Sequence, residues 1–260
     1  PRRHLWSAGA WVRRLAGRRF LFVTDMYAEY LQVYRLTVDD TTETAIPAGL
    51  FAGRHIKDKG TWPPGQPTQG EWIWRDRNGD GAFNETEYLT QEANADAPTY
   101  QGWWVDDQGT VWQATETAGI RRFPCAGLDD HGNPVWTYET MQQFAKPPEF
   151  EQVKRLRYDP AADTMLVGGT TSEHKNQHWK PMGPVICCYD AWSSNPVLRW
   201  RIVTPYALGS QGHGSCEPMG FDTAGDYLFV PYTGASKDTG FSTGHIEVFR
   251  RADGTSVGHM

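Results

Sequence analysis

Hydrophobic residues along this chain fall into short runs with polar breaks, and four of the runs share a signature. Leu31-Gln-Val-Tyr34, Ile120-Arg-Arg-Phe123, Ile186-Cys-Cys-Tyr189 and Ile246-Glu-Val-Phe249 each read aliphatic, two residues, aromatic. A richer apolar run precedes each: Phe20-Leu-Phe-Val23, Thr110-Val-Trp-Gln113, Thr164-Met-Leu-Val167 and Tyr227-Leu-Phe-Val230. Short runs rich in β-branched and aromatic residues, bounded by Asp, Pro and Gly, are strand signals. Before three of them a further strand and a tight turn are expected. Tyr158-Asp-Pro-Ala-Ala-Asp163 and Phe221-Asp-Thr-Ala-Gly-Asp226 match position for position, and Trp104-Val-Asp-Asp-Gln-Gly109 is a close variant. A fourth short strand is expected after each unit, at 44–46, Pro134-Val-Trp-Thr137, Val197-Leu-Arg-Trp200 and Thr255-Ser-Val257.

Four strands recurring four times predict an all-β chain of β-propeller blades, since each such sheet must bury its faces against the next. A β-sandwich would not need the same signature at the same point of every unit. The expected domain is a single propeller over 1–260, either closed on four blades or part of a larger ring of roughly six to eight. The units are spaced more widely than the ~40–50 residues of a compact blade. Most of the excess lies in an insertion at about 51–99.

Composition narrows the class. Aromatic residues make up 13% of the 260 and are spread along the chain, which excludes a disordered segment. Four Cys are too few for a disulfide framework. Cys187 and Cys188 are adjacent, so on a strand they face opposite ways; Cys125 and Cys216 are left to pair with each other or with one of that couple, or else to be buried free thiols. No run approaches the ~18 apolar residues of a membrane-spanning helix. A net charge of −6, with basic clusters no longer than pairs such as Arg13-Arg14 and Arg121-Arg122, speaks against nucleic acid as a partner. The sequence starts at Pro1 and ends in a strand-like Gly254–Met260. That is expected of a mature form or of a piece of a larger polypeptide.

The insertion holds the sharpest chemistry. Asp76-Arg-Asn-Gly-Asp-Gly-Ala-Phe-Asn-Glu-Thr-Glu87 fits the twelve-residue EF-hand loop at each diagnostic position. Asp76, Asn78 and Asp80 stand at positions 1, 3 and 5 as side-chain oxygen donors. Gly81 takes the sharp turn at position 6, Ala82 offers its carbonyl at 7, Asn84 serves position 9, and Glu87 closes the shell at 12. Hard Ca2+ takes six to eight oxygens in such a flexible shell, whereas Mg2+ asks for a tighter octahedron. The flanks are not those of an EF-hand: Glu71-Trp-Ile-Trp74 alternates like a strand, and only 85–91 reads as a short helix. The loop is therefore expected to be a Ca2+ clasp for the insertion rather than a sensor.

Other candidates are weaker. His174 and His178 are spaced four apart in a polar loop, and His213 lies in the Gly-rich loop entering the last unit. With His55, they could meet over one end of a propeller and supply acid/base or metal chemistry. No Gly-x-Ser-x-Gly, Walker or His-Glu-x-x-His motif occurs. Carboxylates near strand ends, among them Asp25, Asp106 and Glu217, form no recognisable pair. Trp62 and Trp179, in long loops, are candidates for stacking on a sugar or another small ligand.

Taken together, the Tyr158-Asp-Pro…Asp163 and Ile246-x-x-Phe249-x-x-x-Asp253-Gly254 patterns and the inserted Asp-x-Asn-x-Asp-Gly loop resemble bacterial secreted propellers of the NHL and gluconolactonase-like kind. The resemblance covers most of 11–260, and its motifs are architectural. It implies an extracellular or periplasmic location. The Glu, Asn and Asp metal ligands of gluconolactonase-like enzymes have no residue-by-residue match here, so their activity does not carry over. The leading expectation is a Ca2+-stabilised extracellular binding module, with carbohydrate as a candidate ligand. The alternatives are a metal- or His-dependent lyase, lactonase or hydrolase, and a protein-interaction segment of a larger polypeptide.

Overall fold

A computed structural model describes residues 7–25, 27–38, 41–56, 62–92, 98–115, 118–176, 180–208, 215–234 and 238–260. The described chain is all-β apart from one short 3-10 turn, and is of the β-propeller type: a succession of antiparallel up-and-down meanders. It divides into two compact units, Pro1–Ala145 and Lys146–Met260.

The first unit holds two sheets. Strands β1 (Ser7–Leu15), β2 (Arg18–Asp25), β3 (Tyr30–Val38), β4 (Glu43–Ala52), β5 (Glu71–Arg75) and β6 (Tyr88–Gln91) form one six-stranded sheet in sequence order. Strands β7 (Pro98–Val105), β8 (Val111–Thr115), β9 (Ile120–Phe123) and β10 (Gln142–Phe144) form the other. The second unit holds β11 (Gln152–Asp159), β12 (Thr164–Thr170), β13 (Val185–Asp190) and β14 (Val197–Val203) in one sheet. Its other sheet is β15 (Asp222–Ala224), β16 (Tyr227–Pro231), β17 (Ile246–Arg250) and β18 (Ser256–His259).

Three features differ from the expectation. The insertion does not hang off a four-stranded blade but adds β5 and β6 to the edge of β4. A first strand precedes Phe20–Val23 as well, joined by the two-residue turn Ala16-Gly17. Both residues have positive φ (45° and 81°), the backbone of a tight hairpin that matches strand twist. And 134–137 is no strand: Pro134 makes only an isolated bridge to Leu128, and β10 closes the sheet instead. The 126–135 segment folds back on itself, with Ala126 N–H donating to Val135 O and Val135 N–H to Gly127 O.

The turns that matched in sequence also diverge. Asp159 pairs with Thr164 across four residues, and Asp163 sits at φ 48° with Tyr158 Oη donating to its carboxylate at 2.8 Å. Ala224 pairs with Tyr227 across only two, because Gly225 takes φ 55° without a Cβ penalty.

Each unit has its own core. In the first, Phe51 meets Trp103, Phe123 and Trp136 edge-on, and Trp11 meets Trp104, so aromatic pairs join its two sheets. In the second, Leu166, Ile186, Cys188 and Trp200 from one sheet pack with Leu228, Val230 and Phe249 from the other. All four cysteines are free thiols. Burial pushes the Cys187 thiol up to about 12 and Cys188 to about 11, as expected of inert core positions.

One ion pair is sealed inside the first unit. Arg121 on β9 donates to Glu71 Oε2 on β5 at 2.5 Å, with both side chains almost fully buried. Glu71→Ala leaves the Arg121 charge without that partner. It is expected to cost about 3–5 kcal/mol, read as a fall in the denaturation midpoint. A loss of under about 1 kcal/mol, the range of a surface pair, would refute the assignment.

Candidate metal-binding loop

Strands β5 and β6 run antiparallel, with Trp74 opposite Tyr88, so the twelve residues 76–87 are the connection of a β-hairpin. The helix expected at 85–91 is reduced to a 3-10 turn at Glu85–Glu87, and the chain re-enters the sheet at Tyr88. The loop is thus held by strands on both sides.

Its local geometry follows from the residue types. Asp76 Oδ1 accepts from Gly79 N–H at 2.8 Å, and Oδ2 accepts from Gly81 N–H at 3.2 Å. Asn78 Oδ1 accepts from Asp80 N–H (3.0 Å), and Asp80 Oδ1 from Ala82 N–H (2.8 Å). These local bonds make the chain wind around its own side-chain oxygens. Gly79 and Gly81 lie at φ 80° and 71°, where other residues are strained. Glu87 reaches back across the loop: Oε1 accepts from the N–H groups of Arg77 (2.9 Å) and Asn78 (3.3 Å), and Oε2 from Trp74 Nε1 (3.1 Å).

The donor set suits a hard cation. Asp76 has no exposed surface and Glu87 has 5%. Neither makes a salt bridge among the described residues; N–H donors hold both carboxylates, and Arg75 acts on Glu87 only at longer range. A buried carboxylate is costly unless a cation or several donors satisfy it. Asn78, Asp80 and Ala82 lie exposed at the mouth, open to an ion from solvent. Among the described residues no three His, Cys, Asp or Glu side chains converge as a ready cage. The loop's carboxylates accept from N–H groups of the loop and of Trp74, and each oxygen keeps a second lone pair for an ion.

Sequence reading missed what the loop leans on. The finger between β9 and β10 brings its tip, Asp129–Asn133, against it. The fully buried Asn133 donates from Nδ2 to Asp76 O at 2.6 Å and to Asp76 Oδ2 at 3.3 Å. Asn133 Oδ1 accepts from Arg35 Nη1 at 2.5 Å, and Arg35 Nη1 also reaches His131 O at 2.8 Å. Asp76 carried a signal in the sequence, but its pairing with Asn133, more than fifty positions away, did not.

The other candidates disperse. Trp62 is half-buried and packs edge-on against Tyr30 and Phe83, beside Trp72 and Trp74, so its ring belongs to the aromatic cluster under the insertion. His55 Nδ1 lies 2.9 Å from Pro67 O. His174 lies in the second unit beside Tyr206, its Nδ1 3.4 Å from the Tyr206 hydroxyl. His178, His213 and Trp179 lie outside the described residues.

The second unit also buries polar groups at one end of its strands. Lys154 Nζ donates to Asn176 Oδ1 (3.2 Å) and Lys180 O (3.3 Å), and Lys180 Nζ to Thr233 Oγ1 (3.2 Å). Burial lowers the Lys180 pKa, opposed by the Glu217 carboxylate. His245 Nε2 lies 2.7 Å from Glu247 Oε1, with the His245 ring stacked on Phe241 at 3.5 Å. A groove of about 320 Å³ opens on the β15–β18 sheet, walled by Tyr227, Phe229, Val248, Val257, His259 and Met260.

No protein-family model matches the chain, and no curated protein matches it in sequence. Solved structures resemble it in fold only. A protein of unknown function from Desulfotomaculum acetoxidans aligns at 12% identity and TM-score 0.45, over 92% of this chain and 65% of its own. Sqt1 from Chaetomium thermophilum, bound to the N-terminus of ribosomal protein L10, aligns at 10% and 0.44, over 92% and 71%. Sqt1 from Saccharomyces cerevisiae aligns at 10% and 0.45, over 96% and 60%. The chain thus spans 65% of the length of the first of these structures.

Trp74→Phe removes the one indole donor to Glu87 and keeps an aromatic ring beside Phe83. A hydrogen bond to a charged group is worth about 1.5–3 kcal/mol, and a loss of that size is expected in urea denaturation. An unchanged midpoint would mean that Glu87 does not depend on the indole.

Proposed function

We propose that this chain is a binding scaffold of the β-propeller type whose first sheet carries a Ca2+-ordered loop. The observation that carries the reading is the 76–87 connection, with two buried carboxylates that no salt bridge among the described residues neutralises. Asp76, Asn78, Asp80, Asn84 and Glu87, with the Ala82 carbonyl, would hold the ion. Bound Ca2+ supplies the positive charge that the buried carboxylates want. A single loop between strands, without a partner loop, suits structural ordering better than switching. The reading goes with an extracellular or periplasmic location, where Ca2+ is plentiful enough for sites that bind at about 10⁻⁴–10⁻³ M.

The test is thermal unfolding of the full chain with Ca2+ or with chelator. Ligand at 100 times its dissociation constant stabilises by about 2.7 kcal/mol, so saturating Ca2+ should raise the melting temperature by several degrees. Asp80→Ala, at an exposed position, should melt normally in chelator and lose the Ca2+-dependent rise. Identical curves for the wild-type chain in Ca2+ and chelator would remove calcium from the proposal.

The scaffold half of the reading is supported by the groove on the β15–β18 sheet. Its mixed apolar and aromatic walls suit the side chains of a peptide rather than a sugar, and loops and faces of such sheets commonly carry binding. Peptides selected from a random library on the wild-type chain are expected to lose binding to Tyr227→Asp. Selection that yields nothing, or peptides indifferent to that change, would favour the carbohydrate alternative, which a glycan array in Ca2+ then addresses.

A further inference from the structure

We infer that Asn133 is a positioning residue for Asp76, and that through it a cation in the 76–87 loop clasps the six-stranded sheet to the finger between β9 and β10. The inference rests on the calcium reading above. Asp76 supplies position 1 of the loop, and its carboxylate must be aimed before the other oxygens can close around an ion. The fully buried Asn133 is bonded to both the backbone carbonyl and the carboxylate of Asp76.

The chemistry of the amide makes this position specific. Arg35 can only donate and Asp76 O can only accept, so between them they fix which end of the Asn133 amide faces which. An Asp here would lack the donor for Asp76, and an apolar residue would also take one of two acceptors from Arg35 Nη1. Asn133 is itself held: its N–H donates to Asp129 Oδ1 at 2.9 Å, and Asp129 Oδ2 lies 3.5 Å from Arg75 Nε. The same finger touches the loop a second time. A Cβ on Gly79, at φ 80°, would come within 2.7 Å of His131 Nδ1, so a side chain at position 4 would push the His131 ring aside. Positions 1 and 4 are thereby engaged from outside the loop, by a segment that follows β9 in the other sheet. Groups that orient metal ligands from behind typically change affinity by about 10–100-fold.

The experiment measures metal affinity and metal-free stability separately, on the full chain. Tb3+ luminescence, sensitised by the Trp74 indole beside Glu87, and calorimetry with Ca2+ give the dissociation constants. Asn133→Ala is expected to weaken both ions by about 10–100-fold, while Asp130→Asn, exposed on the same finger, stays within about twofold of wild type. A residue that only fills space would lower the metal-free melting temperature and leave the dissociation constant of the folded protein unchanged. That outcome overturns the inference and leaves the calcium reading standing. A wild-type chain that binds neither ion overturns both. If Asn133→Ala does not fold, hydrogen exchange on the wild-type chain decides. Ca2+ should slow exchange of the Gly132 and Asn133 amides at least about tenfold, as expected of a clasp, and unchanged exchange there overturns the inference.

Discussion

A carboxylate with no exposed surface sits at the junction of the first unit, and much of that unit is arranged around it. Asp76 follows directly on β5, and its oxygens collect the N–H groups of Gly79 and Gly81. A buried charge of this kind is tolerated only with several well-aimed donors or a cation. Both options shape the surroundings: the glycines that let the chain wind, the finger that brings Asn133, and the Arg35 that holds Asn133 in turn. The buried Glu71–Arg121 pair repeats the principle a few residues earlier on β5, tying the same strand to β9. Polar specificity in this unit is concentrated where the added hairpin meets the neighbouring sheet.

Around these polar ties lies an unusually aromatic core. Trp72 and Trp74 are fully buried on β5, and Trp62, Phe83 and Tyr88 pack against their cluster. Trp74 of this cluster also does polar duty by donating to Glu87, and Trp112 on β8 does the same for Asp106 Oδ2. Trp is suited to this, since a large apolar body carries a single N–H that needs a partner when buried. The core of the second unit mixes aliphatic and thiol side chains with Trp200, Phe221, Tyr232 and Phe249. Its polar groups gather at one strand end, around Lys154, Lys180 and the His245–Glu247 pair.

Much of this was legible along the chain. Alternation and β-branched content placed the principal strands, and the repeat placed the meanders, because both are local consequences of how side chains point from an extended backbone. The loop residues 76–87 were legible for the same reason: Asx-type turns and positive-φ glycines are written within twelve positions. The hairpin at Ala16-Gly17 was not, since alanine rarely takes positive φ and gives no warning of it. The 134–137 run failed as a strand because Pro134 has no N–H to give a ladder, and because Trp136 is drawn into the core, its Nε1 donating to Gly109 O.

What the sequence determined by itself is the all-β class, the repeated meander and the oxygen-rich loop, each a matter of neighbours within a dozen residues. Only the tertiary structure decided that the insertion extends the first sheet, that Trp62 is packed into an aromatic cluster, and that Asp76 is held by Asn133. These depend on contacts between residues far apart in the chain. No periodicity records such contacts, because the energy of a buried pair is set by the space both partners share and not by the distance between them in sequence.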